Sequence, residues 1–191
     1  MAILSILSRA IEARDPYTRG HSTRVTALAE LVALRLGWGE DRLVSLRVGG
    51  RLHDIGKLAL PDTVLCKEGR LEDDELAQIQ EHPKVGAKLI RRIGTLRGAI
   101  PYVLYHHERW DGTGYPSGKA GKEIPVEARV LAVADAFDAM TSDRPYRRAL
   151  THDEALAEVE RGAGTQFDPE IARIFLELFG AAEELSMAAN S

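Results

Sequence analysis

Residues 124–140 read IPVEARVLAVADAFDAM. The run is apolar at nearly every position and far too long for a strand. It predicts a long α-helix with a strongly buried face. One residue does not belong in that environment. Asp135 sits inside VLAVADAFDAM, where a carboxylate is costly unless it is paired or bound to a cation. The fold must therefore bring it a partner from elsewhere in the chain.

The remaining periodicity is also helical. HSTRVTALAELVALRLG sets Val25, Leu28, Val32 and Leu36 on one stripe, and Gly37 supplies a C-terminal stop. EDRLVSLRVGGRLHDIGK opens with acids, which the helix dipole favours at that end, and reads as one helix. Its Gly49-Gly50 pair costs about 1 kcal/mol per residue against alanine, a cost that close helix–helix approach would offset. EDDELAQIQEHPKVGAKLIRRIG should break near His82, because Pro83 disfavours a helical residue before it and begins a helix well. GAIPYVLYHHE predicts a helix before a glycine-rich loop around residues 109–125. Thr151 and Glu154 stand at capping-box spacing, and Asp168-Pro169 marks another helix start. No run alternates as a strand would, and no repeat or linker interrupts the pattern. The expectation is an all-α fold in a single domain over 1–191, a helical bundle with its core at about residues 15–180, an N-terminal helix over 3–14 and a frayed tail over 182–191.

Composition narrows the function classes. The chain of 191 residues is 45% hydrophobic and 28% charged, with a net charge of -4. That balance suits a globular domain and argues against nucleic acid as a partner. No apolar run approaches the roughly 20 residues of a membrane helix. The opening MAILSILSRAIEARD has no basic n-region or cleavage site, so it does not read as a signal peptide. Its apolar spacing suits core burial, with an upstream domain or a homodimer partner as alternative neighbours. Cys66 is the single cysteine and fits a reducing cytoplasm.

The six histidines carry the chemistry. His152 lies at a capped helix start and reads as an exposed residue. His21, His53, His82, His106 and His107 are different: His53 precedes Asp54 directly, His106 and His107 are adjacent, and His82 stands at a proline-set helix end. Any one alone is more often a core or surface residue than a ligand. Taken with Asp135, they are explained together by a metal site, and imidazoles with carboxylates suit iron, manganese or zinc. Helical neighbours diverge by about 100°, so adjacent ligands serve two ions more readily than one. No C-x-x-C and no H-E-x-x-H is present, so the usual zinc signatures are missing.

DPYTRGHS, LHDIGK, EHP, YHHERWDGTGYP, VADAFDAMTSDRPYR and GTQFDP follow one another from Asp15 to the FDPEI segment ending at Ile171. In identity and order these motifs resemble the HD-GYP family, the bacterial cyclic di-GMP phosphodiesterases of the HD superfamily of metal hydrolases. The resemblance implies an HD-type bundle with a long loop carrying the triplet Gly114, Tyr115 and Pro116. It implies one metal on His21, His53, Asp54 and Asp135, and a second on Asp54, His82, His106 and His107, with Asp54 as the bridge. Two divalent ions, iron or manganese, are expected. The glutamate that holds a third ion in some members is replaced by Tyr17 here.

The resemblance also implies Asp54 and Lys57 as catalytic residues, with Lys57 on the scissile phosphate. Asp138, Arg144 and Arg147 match nucleotide contacts; the last is often lysine in the family, and arginine offers a different donor geometry. Tyr115 or Trp110 could stack on a base, although packing under the loop is an equal alternative for Trp110. Gly112 and Gly114 are expected at positive φ. Arg91-Arg92 reads as solvated surface. The implied reaction is hydrolysis of cyclic di-GMP to pGpG, and in some relatives onward to GMP. The alternatives are an HD hydrolase of another nucleotide, a catalytically weak cyclic-dinucleotide sensor, or a module that docks on a GGDEF-domain protein.

Overall fold

Gly37 ends the helix that begins at His21, as its position predicts. It takes φ 75°, and its N–H reaches Leu34 O at 3.0 Å while Trp38 N–H reaches Ala33 O at 3.0 Å. These two bonds satisfy the orphaned carbonyls of a helix end. They close α1 (His21–Arg35) and turn the chain into α2 (Glu40–Leu52). The computed structural model describes residues 6, 7, 14, 20–67, 69–143 and 148–189, with side chains to residue 180. The expected helix over 3–14 therefore lies mostly outside the described residues.

After α2 come a 3-10 turn at Ile55–Ala59, α3 (Asp62–Leu65), α4 (Asp73–Gln80) and α5 (His82–Arg91). A second 3-10 turn, Gly94–Ala99, leads into α6 (Ile100–Tyr105). The long loop follows, then α7 (Val126–Thr141), α8 (His152–Gly162) and α9 (Pro169–Ala189). No strand occurs among the described residues; one isolated bridge joins Ala163 and Phe167. The fold is all-α. Thr151 and Glu154 form the capping box: Glu154 N–H donates to Thr151 Oγ1 at 3.3 Å and Thr151 N–H to Glu154 Oε2 at 2.8 Å. The backbone of α9 is helical through Ala189, and AAEELSMAA is built of good helix formers.

The apolar run of 124–140 becomes the centre of the bundle. α7 touches α1, α6, α8 and α9, and Val130, Leu131, Val133 and Ala134 are fully buried. They join Val25, Leu46 and Phe175 in the main core. Burial of each large apolar side chain contributes about 1.5–3 kcal/mol. A smaller cluster of Leu52, Ile55, Ile90, Ala99 and Val103 lies on the other side of α2, with Leu7 packed against it.

The Gly49-Gly50 pair allows the close approach its position predicts. A Cβ on Gly49 would meet the Tyr102 ring at 2.5 Å, and one on Gly50 would meet Thr26 Oγ1 at 2.6 Å. One boundary differs from the sequence reading. α2 stops at Leu52, and Asp54 takes φ -92° and ψ 7° instead of continuing a helix. The cause is tertiary: the backbone at Gly56 lies so close to α5 that a Cβ there would sit 1.9 Å from His82 O. Gly56→Ala should lower stability by about 1–3 kcal/mol through overpacking against main chain that cannot swing away. Gly94→Ala, where a Cβ meets nothing within 4 Å, should stay within about 0.5 kcal/mol. Thermal and urea unfolding of the two variants provide the check.

Candidate metal centre

Three helix ends deliver three imidazoles to one place. His53 caps the C-terminus of α2, His106 caps α6, and His82 follows the end of α4 and opens α5. Each ring faces inward because its Nδ1 bonds a carbonyl of the helix it leaves: Gly50 O at 2.7 Å for His53, Ile79 O at 2.7 Å for His82, and Val103 O at 3.0 Å for His106. A carbonyl only accepts, so Nδ1 carries the proton and Nε2 is left with its lone pair. All three rings are buried.

Asp54 stands between them. Its Oδ1 lies 3.3 Å from His82 Nε2 and 4.0 Å from His106 Nε2, and its Oδ2 lies 3.5 Å from His53 Nε2 and 2.7 Å from Lys57 Nζ. Burial alone would raise the Asp54 carboxyl. The Lys57 charge leads the interactions that outweigh burial and hold it well below the usual carboxylate range. Burial, reinforced by the neighbouring imidazoles, pushes His106 well below its ordinary value, and burial takes His107 down to about 4 against the opposing Asp135 charge. His107 lies with its ring centroid 4.1 Å from that of His106.

On the far side, His21 bridges two carboxylates of α7. Its Nε2 is 3.0 Å from Asp135 Oδ1 and its Nδ1 is 2.7 Å from Asp138 Oδ2. Burial opposes its protonation, but the Asp135 and Asp138 bonds prevail and push it up to about 10. Asp135, whose oxygen is also 3.8 Å from His53 Nε2, is the carboxylate that the buried run of α7 could not hold alone. Burial would raise it, and the His21 bond leads the interactions that hold it far below the usual range.

The resemblance puts Asp138 on the nucleotide; the structure places it behind His21. Arg24 takes both its oxygens, Nε to Oδ1 at 2.6 Å and Nη2 to Oδ2 at 3.0 Å, and Asp138 is 3% exposed. A carboxylate so engaged orients His21.

One ligand atom each from Asp54, His82, His106 and His107 lies within 4.8 Å of the others, and the same holds for His21, His53 and Asp54. His53 Nε2 is buried with no hydrogen-bond partner, an orphan atom aimed into the cluster. Imidazole lone pairs of fixed tautomer around ionised carboxylates are a donor set that fits divalent transition-metal ions.

The loop after His107 closes over this cluster. Glu108, 3% exposed, accepts Ser117 N–H at 2.7 Å and Lys119 N–H at 3.0 Å. Trp110 N–H donates to Gln166 O at 3.2 Å and Asp111 N–H to Thr165 O at 2.8 Å, so GTQFDP supports the loop from below. Arg129 stands 5.9 Å from the half-buried Trp110 ring. Tyr115 faces the cluster, 4.8 Å from the His107 ring, and precedes Pro116 through a cis peptide. Gly112 takes φ 80° as expected; Gly114 does not have positive φ. Glycine is required there for contact, since a Cβ would sit 2.3 Å from Arg109 N.

The structure thus gathers His21, His53, Asp54, Lys57, His82, His106, His107, Asp135 and Tyr115. Arg144 and Arg147 lie outside the described residues, as does Tyr17. Sequence reading missed Arg24 and Glu108, whose partners lie in distant or irregular segments and follow no local pattern.

A family model described as HD domain matches residues 5–171. The chain therefore belongs to the HD domain family, and the GYP-bearing loop sets it in the HD-GYP branch of that family. It is 44% identical over 173 residues to the cyclic di-GMP phosphodiesterase response regulator RpfG of Xanthomonas campestris, covering 87% of this chain and 44% of that one. It is 37% identical over 168 residues to the 3′3′-cGAMP-specific phosphodiesterase 3 of Vibrio cholerae, covering 88% of this chain and 36% of that one. A solved cyclic GMP-AMP-specific phosphodiesterase from V. cholerae has the same fold, with a TM-score of 0.74 at 19% identity over 96% of this chain and 49% of that one. The chain spans less than half the length of these relatives. Among the described residues, no helix is long and apolar enough to cross a membrane.

Losing a carboxylate behind a ligating imidazole typically weakens metal affinity about 10–100-fold. Asp138→Asn should weaken manganese binding by that factor, measured by titration followed by paramagnetic resonance. Unchanged binding would show that Asp138 does not orient a ligating imidazole.

Proposed function

We propose that this chain is the hydrolytic domain of a cyclic di-GMP phosphodiesterase, opening the cyclic dinucleotide to linear pGpG. The observation that carries the reading is the convergence on Asp54: two groups of donors, from helix ends scattered over the chain, share that one carboxylate. His21, His53, Asp54 and Asp135 would hold one divalent ion, and Asp54, His82, His106 and His107 a second, with iron or manganese the best match to the donors. When bound, such ions stabilise phosphoryl charge and activate water at neutral pH.

The chain's own groups supply the rest. The water oxygen bonds to phosphorus, the bond from phosphorus to the ribose 3′-oxygen breaks, and the 3′-oxygen leaves as a hydroxyl with the proton. Lys57, side-chain exposure 20%, sits at the edge of the cluster with its ammonium 2.7 Å from Asp54 Oδ2. From there it can meet the charge that develops on the phosphoryl oxygens. The tautomers fixed by Gly50, Ile79 and Val103 carbonyls keep the imidazole lone pairs aimed without reorganisation. Tyr115 offers a ring face at the rim for a guanine. Arg144 and Arg147 follow α7 and are assigned the second phosphate or a guanine edge, which arginine forks suit. The exposed rim of the loop, Asp111, Thr113 and Ser117, is the face assigned to a GGDEF-domain partner.

Anaerobically prepared protein loaded with manganese or iron is expected to convert cyclic di-GMP to pGpG, read by chromatography. A fully occupied protein with no turnover would leave a cyclic-dinucleotide sensor as the reading. His53→Ala and Asp54→Ala should abolish turnover and lower bound metal while the circular dichroism stays helical. Lys57→Ala should lower kcat by about 10²-fold with metal content unchanged.

A further inference from the structure

A group outside the cluster holds the segment that carries it. Arg14 precedes α1, yet its guanidinium reaches the turn after the HDIGK motif. Nη1 donates to Leu58 O at 2.8 Å, Nη2 to Leu60 O at 2.8 Å, and Nε and Nη2 to Asp62 Oδ1 at 3.2 and 2.6 Å. Cys66 Sγ lies 3.4 Å from Arg14 O, which ties the same residue to the end of α3.

Pro61 explains the need for an outside donor. A 3-10 turn at Ile55–Ala59 would direct Leu58 O toward the N–H of residue 61, and proline has none. The guanidinium supplies that donor and, with its fork, holds the next carbonyl as well. The turn it holds is short: Leu60 N–H bonds Lys57 O at 3.0 Å, and Lys57 N–H bonds Asp54 O at 2.9 Å. One hydrogen bond therefore joins the Arg14-held segment to Lys57, and a second joins Lys57 to Asp54. Leu7, on the same N-terminal stretch, packs against the cluster of Leu52 and Ile55, the residues that flank His53 and Asp54.

We infer that Arg14 is a positioning residue: it straps the Leu58–Asp62 segment and thereby fixes Lys57 beside Asp54. Ion pairing with exposed Asp62 contributes little by itself; the bonds to the two carbonyls carry the effect. The assignment rests on the proposed role of Lys57, and it makes the N-terminal stretch a lever on that lysine. Lysine at position 14 cannot reproduce the strap, because one ammonium lacks the planar fork that spans both carbonyls and the carboxylate.

The test compares wild type, Arg14→Ala and Arg14→Lys, all manganese-loaded and checked for folding by thermal unfolding. Amide hydrogen exchange across residues 57–60 should rise in both variants. With cyclic di-GMP, kcat should fall about tenfold in Arg14→Ala, and less in Arg14→Lys, with KM and manganese stoichiometry unchanged. Wild-type exchange at 57–60, or faster exchange with wild-type kcat, would overturn the assignment. A wild-type protein that does not hydrolyse cyclic di-GMP would sink the proposed function, and the exchange measurement would still decide whether Arg14 holds the turn.

Discussion

The Asp54 carboxylate is the constraint on which the rest of the structure depends. It is 6% exposed, and both its oxygens face nitrogen atoms: Lys57 and His53 on one side, His82 and His106 on the other. An isolated buried carboxylate is among the most costly groups a fold can contain. This one is tolerated because its own turn supplies His53 and Lys57 and two further segments bring His82 and His106 to it. The contact of Gly56 with the main chain at His82 is part of the same arrangement. It lets the turn bearing Asp54 and the helix bearing His82 approach closely enough to share the carboxylate.

Helix ends are a physical solution to aiming an imidazole. The last carbonyls of a helix lack intrahelical partners. His53, His82 and His106 each give Nδ1–H to such a carbonyl three residues back, so one local bond satisfies the backbone and sets the tautomer. His21 stands at the opposite kind of end. The N-terminus of α1 leaves donors unpaired and offers no carbonyl, so the acceptor must come from elsewhere. Asp138 of α7 fills that place, 117 residues away, with Arg24 balancing its charge. The different partner of His21 thus follows from which end of a helix it occupies.

That distinction also governs what could be read from the sequence. The capping box at Thr151, the stop at Gly37 and the break at Pro83 involve residues a few positions apart, and each was legible in the sequence. The helix around Asp135 was legible too, because its apolar run is unambiguous and the carboxylate stands out within it. The end of α2 was not legible: its periodicity runs on through HDIGK, and only the backbone of α5 stops it. Arg24, Glu108 and Arg14 were missed because their partners, a carboxylate of α7, two loop amides and two turn carbonyls, follow no local pattern. Resemblance names candidate ligands but not the bonds that hold them.

The loop after His107 shows how a glycine-rich segment can be firm. Glu108 binds two of its amides from within, and Gln166 and Thr165 bind two more from below. Tyr115 N–H donates to His107 O at 3.1 Å, so the ring at the rim is tied to the backbone of a cluster residue. Gly114 admits this contact by having no side chain, not by unusual φ. A rim held by its own main chain is formed before any ligand arrives, and the binding energy of a ligand need not be used to order it. A ligand at this rim would meet groups whose positions are already set: the face of Tyr115, the charge of Lys57 and the donors grouped about Asp54.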